Sequence, residues 1–323
     1  MSALPAPPRV TVVVVTWQNR DLLPACLDSL AAQTLPHEVI VVDNASTDGT
    51  AQWLAEQHPE VRTVRLPTNT GFAGGVQAGL DQVRTPYAAL LNTDACAEPD
   101  WLAVLVAELD ADDALGAVTP RLVLSPSGAL NNAGVALRPD GYGYDIGLGA
   151  ADGFTDNAAV FGFSGAAAAL RMSTVESIGG FPREFFLYYE DTDTSWRMQL
   201  AGSRIRYVPG AVVHHLHSAS TDQKSRLFAF HNERNRLLML TRCAPAGFAA
   251  RQVLRFPLTT ASLAAKRRLR RPLPAGWQFE TGLRLQVLAS YLRLLPWALR
   301  ERRRIGRAAR VPRADVAQGW LGR

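Results

Sequence analysis

Four short strand-like segments, each closed by a polar turn and followed by residues at helical spacing, constrain this chain more than any other feature. They occupy residues 10–15, 39–42, 61–66 and 87–91. After the first, Leu22, Leu23, Cys26, Leu27 and Leu30 recur with a helical period. The second ends in DNASTDGT, where Ser46, Thr47 and Asp48 can cap a helix running through Trp53 and Leu54. NTGFAGGVQAGL follows the third, and its glycines allow close backbone approach. The fourth delivers Asn92, Thr93 and Asp94 to its carboxyl end. Parallel strands need right-handed crossovers, so the pattern predicts an α/β fold: a Rossmann-like, mainly parallel central sheet with flanking helices. Its polar turns line one edge, where open α/β sheets bind ligands.

Two common readings of such an edge find little support in the spacing. No GxGxxG follows the first run directly, and no GxxxxGK[ST] occurs anywhere. A carboxylate such as Asp94 is well placed to hold a hard cation bridging phosphate oxygens, although an isolated Asn-x-Asp serves equally as a strand end or helix cap. Residues 125–157 are rich in Gly, Asp and Asn without periodicity, and read as a long surface connection or flap. Strand character resumes over 161–171, and IGGFP breaks it again.

A second acidic cluster lies in FFLYYEDTDTSWRMQLAG, residues 185–202. It places Glu190, Asp191 and Asp193 at a helix amino terminus, where the helix dipole favours ionised carboxylates while burial and like charges oppose them. A general base can be tuned by that balance, and a solvated helix cap is the plainer alternative. Next come a strand over 205–208 and VVHHLHSAS. On a strand His215 and His217 share a face and His214 takes the other. An imidazole there can complete the coordination of a cation held by Asp94, or bind phosphate.

Composition adds bounds. With 323 residues, 47% of them hydrophobic, the chain can bury a sizeable core. Its amino terminus, MSALPAPPRV, reads as neither signal peptide nor membrane span, which predicts a cytoplasmic protein. The three cysteines, Cys26, Cys96 and Cys243, are widely spaced and read as free thiols. Charge is divided unevenly. Residues 1–250 hold 17 Lys+Arg against 26 Asp+Glu, a net −9, and residues 251–323 hold 17 against 3, a net +14. The basic segment is apolar and helical in pattern, but Arg251, Arg255 and Arg293 interrupt every stretch that could span a bilayer. Helices lying in an anionic interface fit better, with Trp277, Tyr291 and Trp297 as interfacial aromatics. No nucleic-acid recognition motif accompanies the arginines, so no nucleic-acid partner is expected.

Taken in order, VTVVVVTWQNR, VVDNASTDG, NTGFAGG, LLNTDACAEPDW, GGFPREFFLYYEDTDTSWR and VVHHLHSAS resemble family 2 of the inverting GT-A-fold glycosyltransferases, and in detail its rhamnosyltransferase-type members. The resemblance covers about residues 9–240. It implies a nucleotide-diphospho-sugar donor, with dTDP-rhamnose or a UDP-sugar favoured, a divalent metal (Mg²⁺ or Mn²⁺), and single displacement onto an acceptor hydroxyl. Residue by residue, it implies that Thr16, Asp43, Asn69, Gly71, Asn92 and Asp94 bind the nucleotide-sugar. Asp94 and His215 would hold the metal, with His214 in reserve, and Asp191, beside Glu190, would be the catalytic base. Asn92 replaces the first acid of the family's DxD, and Gln77 stands where relatives often carry Asn. No QxxRW follows Asp191, so single-sugar addition is expected rather than chain synthesis.

The resulting partition is a disordered tail over 1–8, a catalytic domain over 9–240 and a basic amphipathic extension over 241–323. The extension would bind the inner face of the cell membrane peripherally and meet a lipid-linked or glycan acceptor there. Removing residues 251–323 is then expected to abolish binding to anionic vesicles; were the arginines only a solvated face, transfer to a short soluble acceptor would survive the cut, because Asp43, Asp94, Asp191 and His215 all precede it. A noncatalytic nucleotide-binding scaffold with the same fold is the alternative.

Overall fold

The computed structural model describes residues 7–151, 153–216 and 224–322. Its strands are β1 (Val10–Thr16), β2 (Glu38–Asp43), β3 (Arg62–Arg65), β4 (Tyr87–Leu91), β5 (Ala95–Ala97), β6 (Leu115–Leu124), β7 (Leu130–Asn132), β8 (Val135–Leu137), β9 (Gly143–Asp145), β10 (Ala158–Ala159), β11 (Ala167–Arg171) and β12 (Arg204–His215). The helices are α1 (Leu23–Ala31), α2 (Thr50–Gln57), α3 (Gly71–Leu80), α4 (Trp101–Ala111), α5 (Met172–Ile178), α6 (Glu190–Leu200), α7 (Arg226–Cys243), α8 (Ala246–Arg268), α9 (Thr281–Ala308) and α10 (Arg313–Trp320).

The valine-rich runs pair as expected. The sheet order is β10-β12-β6-β11-β4-β1-β2-β3, with β3, β2, β1 and β4 parallel and β11 inserted antiparallel between β4 and β6. Because side chains alternate across a strand, β1 feeds two cores. Val10, Val12 and Val14 pack with α1 and α4 residues such as Leu27 and Trp101, whereas Val13 packs with Val76 and Leu80 of α3. Gly75 and Gly79 let α3 lie directly on β1, since a Cβ there would come within 2.5 Å of Val15 and 2.3 Å of Val13.

The 125–157 region departs from the sequence expectation of a surface connection. Asn131 and Asn132 of β7 are buried, β7 pairs with β6, and β8–β9 form a separate two-stranded hairpin with Val135 and Leu137 in the core. The hairpin's turn is bound to α7, with the Tyr142 hydroxyl donating to Glu233 at 2.7 Å and Arg236 stacked 4.1 Å over the Tyr142 ring. Short strands rich in Asn and Gly carry almost no period-two signal, which is why the pattern was not legible. Over 161–171, only the second half is a strand.

The basic extension also departs from expectation in where its aromatics point. Tyr291 is buried, sharing a 2.8 Å hydrogen bond between its hydroxyl and that of Thr241. Trp297 lies under the Arg242 guanidinium at 4.7 Å and edge-on to Phe185. Of the three, only Trp277 is exposed. Helix α9 packs along α7, and Val287, Tyr291, Ala298 and Ile305 join one core with Phe185, Trp196, Leu237 and Leu240. Among the described residues no helix is long and apolar enough to cross a membrane.

Candidate active site

At the carboxyl edge of β1 and β2, Thr16 stands opposite Asp43 in the parallel register, and both are fully buried. Asp43 Oδ1 accepts from the Ser46 amide at 2.9 Å, while Oδ2 lies 3.5 Å from Arg65 Nε. Neither Asp43 Oδ2 nor Thr16 Oγ1 has a hydrogen-bond partner among the described residues. Buried polar atoms left this way cost free energy unless a ligand completes them.

The adjoining loop is held by its own residues. Asn69 Oδ1 accepts from the Gly71 amide at 2.8 Å, and Asn44 bonds both Thr70 and the Gly71 carbonyl. Gly71 has φ +71°, and a Cβ there would lie 2.1 Å from the Phe186 carbonyl oxygen. Asn69 and Gly71 thus reach the edge but spend their polar groups on shaping it. Gln77 does not reach it. Its side chain accepts from the Phe181 amide and donates to Asp81.

Between β4 and β12 the two DxD-region and histidine segments meet. Strand β5 pairs antiparallel with β12, setting Ala95 opposite His215, and the Leu216 amide donates to the Asp94 carbonyl at 2.9 Å. His215 Nε2 is consequently 3.2 Å from Asp94 Oδ1, with both side chains buried. Its Nδ1 lies 2.8 Å from Asn131 Oδ1, which fixes the ring. His214 points away, 2.7 Å from Glu98 and half exposed. His217, Ser218, Ser220 and Thr221 lie outside the described residues.

The catalytic-base candidates start α6. Phe186, Tyr188 and Tyr189 all have positive φ, a rare conformation for such residues that clusters at functional sites. Asn235 of α7 stabilises this bend by donating to the Phe185, Leu187 and Tyr188 carbonyls. Asp191 emerges half-buried. Its Oδ2 accepts from the Gly165 amide at 3.0 Å and its Oδ1 from Thr192. Burial raises its pKa above the usual carboxylate range, and these hydrogen bonds restrain the rise. Glu190 is buried, its Oε2 has no hydrogen-bond partner, and burial followed by the neighbouring Asp191 charge pushes its pKa well up. Asp193, the third acid, turns into the core, where it pairs with Arg197 at 2.7 Å and Arg242 at 2.6 Å.

A two-residue link joins the two halves of the site. Gly165 donates to Asp191, and the next residue, Ala166, accepts from the Asn92 amide at 2.9 Å through its carbonyl. Sequence reasoning missed this link and missed Asn131, Asn132, Asp145 and Asn235, all in segments with no motif-like spacing.

A family model described as Glycosyl transferase family 2 matches residues 11–179, just over half of the chain. The chain belongs to glycosyltransferase family 2. It is an enzyme, and the noncatalytic scaffold falls away. It is 31% identical to the N-acetylglucosaminyl-diphospho-decaprenol L-rhamnosyltransferase of Mycobacterium tuberculosis, over 68% of this chain and 80% of that one. Solved structures share the GT-A fold. One is the mannosyltransferase PcManGT from Pyrobaculum calidifontis in complex with GDP-Man and Mn²⁺, with TM-score 0.51 and 22% identity, covering 98% of this chain and 80% of that one. Another is GalNAc-T7 with UDP, GalNAc and Mn²⁺, with TM-score 0.62 and 13% identity, covering 90% and 57%. The family, the fold and the rhamnosyltransferase-like resemblance expected from the six sequence segments are thereby borne out.

The donor set of this glycosyltransferase fits a shared metal site. One carboxylate oxygen and one imidazole nitrogen converge at 3.2 Å. Among the described residues no group of three or more His, Cys, Asp or Glu forms a protein-only cage. A cation that keeps water and takes substrate phosphates as ligands needs only one or two protein donors, and carboxylate with imidazole suits Mg²⁺ or Mn²⁺.

Proposed function

We propose that this glycosyltransferase moves one sugar from a nucleotide-diphospho-sugar, dTDP-rhamnose or a UDP-sugar, onto a hydroxyl of a lipid-linked or cell-surface glycan precursor, with inversion. The observation that carries the reading is the Gly165–Ala166 link, which holds the Asp94 region and Asp191 within one short span of backbone. Among the described residues Thr16 Oγ1 has no hydrogen-bond partner and Asp43 Oδ2 meets only the exposed Arg65 side chain, which leaves both for the nucleobase. Asp94 and His215 would hold a divalent cation, which when bound neutralises charge developing on the departing diphosphate. Asp191 takes the acceptor proton as the new bond forms, a role typically contributing ~10²- to 10⁴-fold. Its half-buried position leaves it reachable by the acceptor, and its raised pKa makes it a stronger base.

The acceptor side is read from the helical layer. Leu254 and Leu258 of α8 and Leu285, Leu292 and Leu299 of α9 are exposed, and Leu285, Leu292 and Leu299 recur every seven residues along one face. Arg251, Arg255, Arg293 and Arg300 flank them and are exposed as well. Exposed leucines among arginines support docking on an anionic lipid surface, where a lipid-linked acceptor would be met.

Calorimetry of nucleotide-sugars with and without Mg²⁺ or Mn²⁺ tests the donor half, and metal-dependent binding is expected. Asp191→Asn should keep that binding and abolish transfer, because the amide keeps the shape and cannot take the proton. Transfer at near wild-type rate would remove Asp191 as base.

A further inference from the structure

Asp145 belongs to no sequence motif, yet the fold sets its strand between the start of α6 and the residues that support His215. Asn132 donates from Nδ2 to Asp145 Oδ1 at 2.6 Å, and the adjacent Asn131 is the residue that holds His215. Two residues before Asp145, the Gly143 amide donates to the Tyr189 hydroxyl at 3.1 Å. A Cβ on Gly143 would sit 3.5 Å from Thr192 Oγ1, the neighbour of Asp191. Strand β9 thus crosses the amino terminus of α6 at one end and abuts the histidine strand's support at the other. The same proximity is felt electrostatically. Burial is the main cause that raises the Asp145 pKa, the Asn132 hydrogen bond opposes it, and the Asp191 charge raises it further while His215 lowers it.

In a single displacement the transferred sugar lies between the leaving diphosphate and the base. A side chain that neighbours both Asp191 and His215 therefore borders the sugar rather than the nucleotide. We propose that Asp145, oriented by Asn132, accepts hydrogen bonds from hydroxyl groups of the transferred sugar and so sets which sugar this enzyme prefers. The inference rests on the donor reading above. An ionised carboxylate only accepts hydrogen bonds, and every free hydroxyl of a pyranose can donate one, so the chemistry matches. Asp145 is only partly buried. The hairpin is also fixed, through Tyr142 to Glu233 and through Arg236 donating to the Asp140 carbonyl at 3.1 Å. A rigid mount is what discrimination between epimers needs.

The test is the spread of affinities on a common nucleotide. Wild type, Asp145→Asn and Asp145→Ala are titrated by calorimetry with UDP, UDP-glucose, UDP-galactose, UDP-N-acetylglucosamine, dTDP, dTDP-glucose and dTDP-rhamnose in Mn²⁺. The inference expects the preferred sugar to lose about tenfold or more in both variants, compressing the ratio between best and worst sugars, while UDP and dTDP bind as in wild type. Equal weakening of every ligand, with the ratio intact, would mean a purely structural carboxylate and would overturn it. So would an unchanged ratio at unchanged affinity. A wild-type protein that binds these donors without preference overturns the inference and leaves the donor reading standing, whereas no metal-dependent binding of any of them overturns both.

Discussion

Asp94 and His215 are 121 positions apart and become neighbours only because β5 turns back onto β12. The sequence supplied each residue type and its strand-end location, and the family resemblance favoured His215 over His214. Alternation along β12 then separates them, His215 inward and His214 to Glu98. Asp94→Ala should accordingly weaken metal-dependent donor binding and leave the metal-independent part unchanged, read by calorimetry with and without Mn²⁺. Glu190 allows a sharper expectation. Its folded pKa is raised above the unfolded value, so the folded state binds the extra proton. The associated stability is present below the ordinary carboxylate range and is lost as pH rises toward the raised value. Glu190→Gln mimics the neutral acid. Chemical denaturation across that window should show a downward slope in wild type that is flattened in the variant, and equal slopes would place the Glu190 charge elsewhere.

At the level of elements, the regular part of the fold was legible and the irregular part was not. Strand β4 runs from Tyr87 to Leu91 as the apolar run indicated, because a strand buried on both faces writes itself as continuous hydrophobics. Strands β7, β8 and β9 are three residues each, too short for any period, and are held by side-chain bonds such as Asn132 to Asp145. In sequence the acidic cluster presents three helix-start carboxylates, whereas Asp193 faces inward because α6 turns it about 200° from Asp191. There it binds α6 to α7 through Arg242, which also stacks on Trp297 of α9. Removing one partner of a buried pair strands the other charge. Arg242→Ala should therefore cost about 3 kcal/mol, the lower end of the range for such pairs because Arg197 still faces Asp193. Urea unfolding measures it, and a loss within error of zero would show the pair to be dispensable. Activity should fall with it, since Asp191 rides on the same helix.

Across the whole molecule, the acidic body and basic extension distinguished by charge are joined by one core. Phe256, Leu283, Val287, Tyr291 and Ile305 are buried, and four of them belong to the core that contains Trp196 and Phe185. Each such side chain contributes roughly 1.5–3 kcal/mol by burial, so losing five is comparable with the entire stability of a typical domain, about 5–15 kcal/mol. Removal of residues 251–323 is thus expected to unfold the protein rather than spare transfer to a soluble acceptor, a different outcome from the one the residue order alone suggested. Membrane docking must be tested without cutting the chain. Replacing Leu254, Leu258, Leu292 and Leu299 by Ser touches only exposed positions, as does replacing Arg251, Arg255, Arg293 and Arg300 by Gln. Both variants should keep the wild-type melting temperature. In sedimentation with anionic vesicles the Arg set should lose the component that salt screens, up to ~1 kcal/mol for each charge near the surface, and the Leu set the component that salt does not reach. Wild type should therefore bind at low salt and retain part of that binding at high salt, the Leu variant only at low salt, and the Arg variant weakly and equally at both. Identical sedimentation of all three would show that this face meets something other than lipid.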